Sequence, residues 1–287
     1  MNNKTRRKIY EITLKTFIYI SLAVTVILLV SLIGYIFAKG LPHLSWKLIS
    51  TAPKHSTGHI GILPNIINTL YIIGLTLIIA LPLGVGAAIY LTEYAKSKKL
   101  INMVEFTTET LAGIPSIIYG LVGMLFFVRL LGLKVSLLSG VLTMTVVILP
   151  TIIRTTQESL KSVPLSYREG ALGLGSGKWH MIRTVVLPSA IEGIITGCIL
   201  AVGRIVGESA ALLFTAGMGT AIASNVIKAF KTGGGSLSVA LYMYANERAE
   251  FDVAYAIAVV LLILVFTINI GTKVTKNILK QRQMGVK

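Results

Sequence analysis

The chain has 287 residues, of which 54% are hydrophobic and only 13% charged, against about 25% charged in an ordinary soluble domain. Uncharged stretches of 19 residues and more recur from end to end, which excludes a water-soluble enzyme and points to a protein of the bilayer. The 27 Lys and Arg against 11 Asp and Glu give a formal charge of +16; in a membrane chain such an excess belongs to the loops that face anionic lipid, so nucleic acid is not expected as a partner.

A basic N-terminal segment, residues 1–16, precedes the first apolar run. That run is longer than a signal-peptide core and continues into FAKGLPH, so it reads as a retained span from Phe17 to Ala38. Five more spans follow, at Asn65–Leu91, Thr110–Val128, Val135–Ile153, Ser189–Phe214 and Val253–Thr272, each near the ~20 residues that cross ~30 Å of hydrocarbon. No alternating strand pattern suggests a barrel. The fold class expected is therefore an all-α polytopic membrane protein with six transmembrane helices. It would form one permease-like domain over 17–272, ending in a polar tail at 273–287.

Placing both termini, the 92–109 loop and the 154–188 loop on one side puts 18 of the 27 basic residues there. The positive-inside rule makes that side cytoplasmic. The charge-free stretch Ser209–Ile227 is rich in small residues, and counting it as a span would turn the basic C-terminus outward; it is expected to be external or re-entrant. Pro82 and Pro115 fall inside expected helices, where a kink for packing and a gating role are both open. The lone cysteine, Cys198, allows no intrachain disulfide and no cysteine metal cluster.

The long basic loop at 154–188 has apolar residues at Leu160, Val163, Leu165, Ala171 and Leu172. Glycines at 173, 175 and 177 come before a second amphipathic stretch. Two short helices joined at glycines would make a ledge for a partner. GLGSGKW within it is not a phosphate-binding loop: Leu172 stands where the first glycine is needed and Trp179 where Ser or Thr is needed. Any ATP chemistry must then reside on another chain.

Glu169, Gly170 and Ala171, with Gly175 six positions after the Glu and then Val185, Leu187 and Pro188, resemble the EAA loop of ABC-importer permeases. Gly170 replaces the first Ala and Val185 the usual Ile. The resemblance implies that Glu169, Gly170, Ala171, Gly175, Leu187 and Pro188 belong to a coupling segment that docks on a cytoplasmic ATPase.

The fifth span carries charge at membrane depth. Arg204 lies roughly 22 Å along the helix from Ser189, where an unneutralised Arg costs at least about 2.5 kcal/mol and must face protein, water or a partner. Glu208 lies four residues on, one turn further and on the same helical face. Two readings stay open: a structural ion pair, or an anion path in which Arg204 meets an oxyanion and Glu208 steadies the guanidinium. The guanidinium fork suits phosphate, sulfate or carboxylate. Arg154, at the basic end of the fourth span, either takes the anion next or snorkels to the interface.

Four stretches, GAAIYLTEYA (86–95), LAGIPSIIYGLVG (111–123), LPTIIRTTQESLKSVP (149–164) and RIVGESAALLFTAG (204–217), are similar to those of the PstA-type permease family of bacterial phosphate ABC transporters. That resemblance implies a MetI-like permease architecture in the bacterial cell membrane and a phosphate pathway through Arg154, Arg204 and Glu208. It implies as partners a PstC-type sister permease, two copies of a PstB-type ATPase and an external PstS-type phosphate-binding protein. No cofactor is expected on this chain, ATP and Mg belonging to the ATPase, and no catalytic residue or metal site either. The alternatives are a permease for molybdate or sulfate, an ATP-independent secondary transporter, and an assembly subunit without a pathway.

Overall fold

The computed structural model describes residues 3–53, 60–220 and 230–283, and among them the secondary structure is helical throughout, without a strand. Helix α1 runs Asn3–Gly40 and ends in a short 3-10 turn, Leu41–His43; α2 is Trp46–Ser50. Next come α3 (Leu63–Ile89), extended by a wider turn at Tyr90–Tyr94, and α4 (Lys98–Ala112). Helix α5 (Ser116–Gly123) continues as Met124–Leu130, and α6 is Leu137–Lys161. Two short helices, α7 (Leu165–Gly173) and α8 (Lys178–Met181), lead through Ile182–Val186 into α9 (Leu187–Gly207). The chain closes with α10 (Ala210–Thr215), α11 (Leu237–Tyr242, continued by Met243–Glu247) and α12 (Phe251–Gln283).

Five of these helical runs are long and apolar enough to cross a membrane. The sixth crossing is α4 with α5, bent by 100° at a break. The sequence suggests one helix from Thr110 to Val128 with a kink at Pro115. Instead α4 ends at Ala112, and Pro115, in extended conformation, starts α5. A prolyl ring clashes with a preceding helical turn, so the chain bends sharply there. Pro82 and Pro150, by contrast, sit inside α3 and α6 without ending them.

The fifth span also departs from one continuous helix. Helix α9 stops at Gly207, Glu208 turns extended (ψ 115°), and α10 begins two residues later. Gly217, at φ +84°, then turns the chain away, so the stretch from Ser209 opens as a broken extension of the span; residues 221–227 of it lie outside the described residues.

The bundle is organised around α6, which packs against α3, α9, α10, α5 and α4. In lipid there is little hydrophobic force between helices, so close approach through small residues sets the contacts. A Cβ at Gly84 would lie 2.6 Å from Ile152 Cγ2, one at Gly197 3.1 Å from Thr155 Cβ, and one at Gly140 2.8 Å from Ala216 Cβ. The central core is aliphatic, with Met144, Val147, Ile148 and Ile152 of α6 between Ile72 and Ala80 of α3 and Ala201 and Ile205 of α9.

At the end opposite the basic loops, backbone and side-chain polar groups close on one another, as burial without water requires. Ser136 N–H donates to Thr215 O (3.0 Å) and Leu137 N–H to Thr232 O (3.1 Å). Asn65 Nδ2 donates to Gly235 O (2.9 Å), and Leu237 N–H donates to Thr69 Oγ1 (2.9 Å). The GGGS run therefore seals α11 to α3. Helix α1 stands apart, touching the bundle mainly along α12, where the Tyr35 and Tyr255 rings meet edge-on at 5.8 Å.

Glycines on one helix separate packing from composition. Gly84→Leu should cost about 1–3 kcal/mol by overpacking and lower the thermal unfolding midpoint in detergent. Gly86→Leu should leave it unchanged, because a Cβ at Gly86 meets nothing within 4 Å.

Candidate functional site

Arg204 sits one turn before the end of α9, between exposed Gly203 and buried Ile205, and is itself partly buried. Among the described residues it makes no hydrogen bond and no ion pair. Its charge is felt by the phenol of Tyr119 on α5, one turn beyond the α4–α5 break. Tyr119 Oη in turn donates to Leu111 O (2.7 Å), the last turn of α4. The guanidinium thus acts electrostatically on a phenol that ties the two arms of the α4–α5 bend together.

The pairing of Arg204 with Glu208 does not form. An i, i+4 contact requires an unbroken helix, and α9 ends between the two residues. Glu208, 7% exposed, instead accepts from the Ala211 N–H (3.1 Å) and so caps the first turn of α10. The acid holds the break, and the arginine is left uncommitted.

Arg154 lies on the face of α6 towards α4. Its Nη1 is 3.2 Å from Glu109 and its Nε 3.1 Å from Glu158. Lys161 meets Glu105 at 3.0 Å in the same cleft, about 170 Å³ in volume. Three carboxylates face two cations there, so this conformation offers no net positive site. The pairs are more than half exposed at Arg154, and such bridges are worth about 0–1 kcal/mol each; the arginine can exchange its partners at little cost.

The ledge takes the form of α7 and α8 joined by 174–177. Gly175 adopts φ +81°, and its N–H closes α7 onto Leu172 O (2.9 Å). That left-handed turn is what a glycine at this motif position supplies. Gly170 has nothing within 4 Å of a virtual Cβ, so its departure from alanine is sterically neutral. Glu169 is exposed and Ala171 half-buried. Leu187 and Pro188 open α9, the proline at a position where its missing N–H costs least. Leu165, Tyr167, Leu174 and Trp179 are left exposed on this otherwise polar surface, Leu174 at 90%.

Sequence reasoning missed what holds the ledge. Arg168, next to Glu169, donates to Glu93 Oε1 from Nη2 (2.9 Å) and Nε (3.2 Å). It also donates to Val163 O (2.6 Å) and Leu160 O (2.8 Å). Glu93 lies in the last turn of the α3 run, and no spacing rule links residues 75 positions apart.

A family model described as "Binding-protein-dependent transport system inner membrane component" matches residues 80–283, spanning Arg154, the ledge and Arg204. The chain belongs to that permease family. The permease is 41% identical over 69% of its length, and 67% of the relative's, to a probable ABC transporter permease protein YqgI of Bacillus subtilis. It is 31% identical to the phosphate transport system permease protein PstA 1 of Mycobacterium tuberculosis over 97% of this chain and 92% of that one. With PstA of Haemophilus influenzae the identity is 32% over 89% of each chain. Among solved structures, the permease resembles a bacterial alginate ABC transporter chain (TM-score 0.64, 15% identity, covering 94% of this chain and 93% of that one). It also resembles the methionine transporter MetNI (TM-score 0.58, 21% identity, 76% and 94%). These likenesses fix the fold, that of MetI-like ABC permeases, and the chain is a multi-pass membrane protein of that class.

Within the permease, Glu208→Ala should free the Ala211 amide and cost about 1 kcal/mol, whereas Glu208→Gln, which keeps a carbonyl acceptor, should cost less. Thermal unfolding midpoints of the purified variants check the order.

Proposed function

We propose that this permease is a pathway-forming subunit of an ATP-driven importer of inorganic phosphate. The observation that carries the reading is Arg204, a guanidinium within the fifth apolar span with no hydrogen bond or ion pair among the described residues, one turn before the α9–α10 break and within electrostatic reach of the Tyr119 phenol. A charge so placed demands a counterpart, and a tetrahedral oxyanion fits the fork of donors. The names of the relatives that align along most of the chain give phosphate as the anion.

In this reading the basic loops face the cytoplasm, in keeping with the positive-inside rule. A phosphate-binding protein of the PstS type delivers the anion to the opposite face, and a PstC-type sister permease completes the conduit. Phosphate meets Arg204 near mid-depth. It passes to Arg154, which trades its exposed contacts with Glu109 and Glu158 for the phosphate oxygens and then takes them back. Because the carboxylates compete, the inner station holds the anion weakly, as a site that must release its cargo requires. Two PstB-type ATPases grip the ledge at Glu169, Gly170, Ala171 and the exposed apolar side chains around them, and their closure switches access. ATP and Mg stay on those partners.

Uptake into proteoliposomes holding the complete complex tests the pathway. Arg204→Gln should lower phosphate uptake by roughly 10- to 100-fold, the worth of a charge-assisted contact, with the complex still assembled and Arg204→Lys intermediate. Full uptake by Arg204→Gln would refute it. Competition by excess sulfate or molybdate, rather than phosphate alone, would move the assignment to another oxyanion. The purified chain without partners should hydrolyse no ATP.

A further inference from the structure

The ledge helix α7 has nine residues and buries none of them fully. A helix so short is not stable by itself, and with little packing beneath it a push from a partner would be lost in the flanking loops. The contacts of Arg168 supply what packing does not. Its side chain is 14% exposed and that of Glu93 7%, whereas the ion pairs in the cleft beside α4 are 36% exposed or more. One guanidinium reaches the end of the α3 run through Glu93 and the end of α6 through the carbonyls of Leu160 and Val163. The Leu160 carbonyl belongs to the last turn of α6, the terminus that a cation favours, and Val163 lies just past its cap.

A second tie lies alongside. Lys178, which starts α8, donates from Nζ to Glu93 O and rests over the Tyr94 ring at 4.9 Å from its centroid. Beneath both ties, Ala88, Leu160, Val163, Met181, Ile182 and Val186 form a closed apolar cluster. The ends of α3 and α6 and both ledge helices therefore meet around the Arg168–Glu93 pair. The α4 helix is joined at this end through the exposed ion pairs of Lys161 with Glu105 and Arg154 with Glu109 and a long hydrogen bond from Gln157 Nε2 to Glu105 (3.4 Å).

We propose that Arg168 and Glu93 are positioning residues for energy coupling: a buried stay that carries displacement of the ledge into α3 and α6. This rests on the reading that a separate ATPase drives the ledge. Arg168 touches neither anion nor nucleotide in this role. Its guanidinium converts a loosely held helix into part of a rigid corner, and a lysine, with a single ammonium, would reach fewer of the four bonds.

Complete complexes carrying Glu93→Gln, Arg168→Ala or Arg168→Lys, reconstituted in proteoliposomes, test it through two rates, ATP hydrolysis per complex and phosphate uptake. Glu93→Gln and Arg168→Ala should lower phosphate moved per ATP roughly tenfold, within the span of measured coupling free energies, while hydrolysis stays within about twofold of wild type. Arg168→Lys should recover part of the ratio. Glu93→Gln is nearly isosteric and carries the test should Arg168→Ala fail to assemble. An unchanged ratio, or hydrolysis and uptake falling together, would overturn the stay alone. A wild-type complex without ATP-dependent uptake would overturn the importer reading, and the stay with it.

Discussion

Close approach of helices to α6 is the constraint on which everything else in this protein depends. Within lipid the backbone must satisfy itself and apolar side chains gain little by meeting one another, so stability comes from contact distance. Gly84 and Gly197 let α3 and α9 press onto the β-branched side chains of Ile152 and Thr155. Gly140 admits α10 in the same way. With α9 held there, Arg204 has a fixed height and direction, and with α10 held there, the break at Glu208 becomes a permanent feature.

The two broken crossings have a common logic. An uninterrupted helix hides its polar backbone and offers an anion nothing. Where α4 turns into α5 and α9 into α10, backbone groups and helix ends reach membrane depth, tolerated because protein rather than lipid surrounds them. Tyr119 bridges the first break through Leu111 O, and Glu208 caps the second through the Ala211 amide. Arg204 acts on the phenol at the first and stands just before the second. The polar apparatus is thus assembled where the bundle is interrupted, and the acid serves geometry while the base stays available.

The basic end works by contrast of rigidity. Arg168, Glu93 and Lys178 lock the ledge to α3 and α6 over an apolar floor, while α4 meets α6 there through solvent-exposed ion pairs. Buried, multiply bonded charge is costly to disturb and exposed charge is cheap, so the two sides of this end respond differently to the same push.

The sequence by itself determined the bilayer class, the six apolar crossings, the ledge with its glycines, and the presence of a charged residue at membrane depth. All of these follow from local composition and spacing. It read Thr110–Val128 and Ser189–Phe214 each as a single helical span, the first kinked at Pro115, whereas each is broken into two helices, since hydropathy does not register the direction of the backbone. It paired Arg204 with Glu208 because i, i+4 geometry presumes the helix that Gly207 ends. Only the tertiary structure joined Glu93 to Arg168 and the GGGS run to Asn65, across 75 and 170 positions. Partners so distant in the chain are chosen by which helices pack side by side, and no periodicity within a segment encodes that choice.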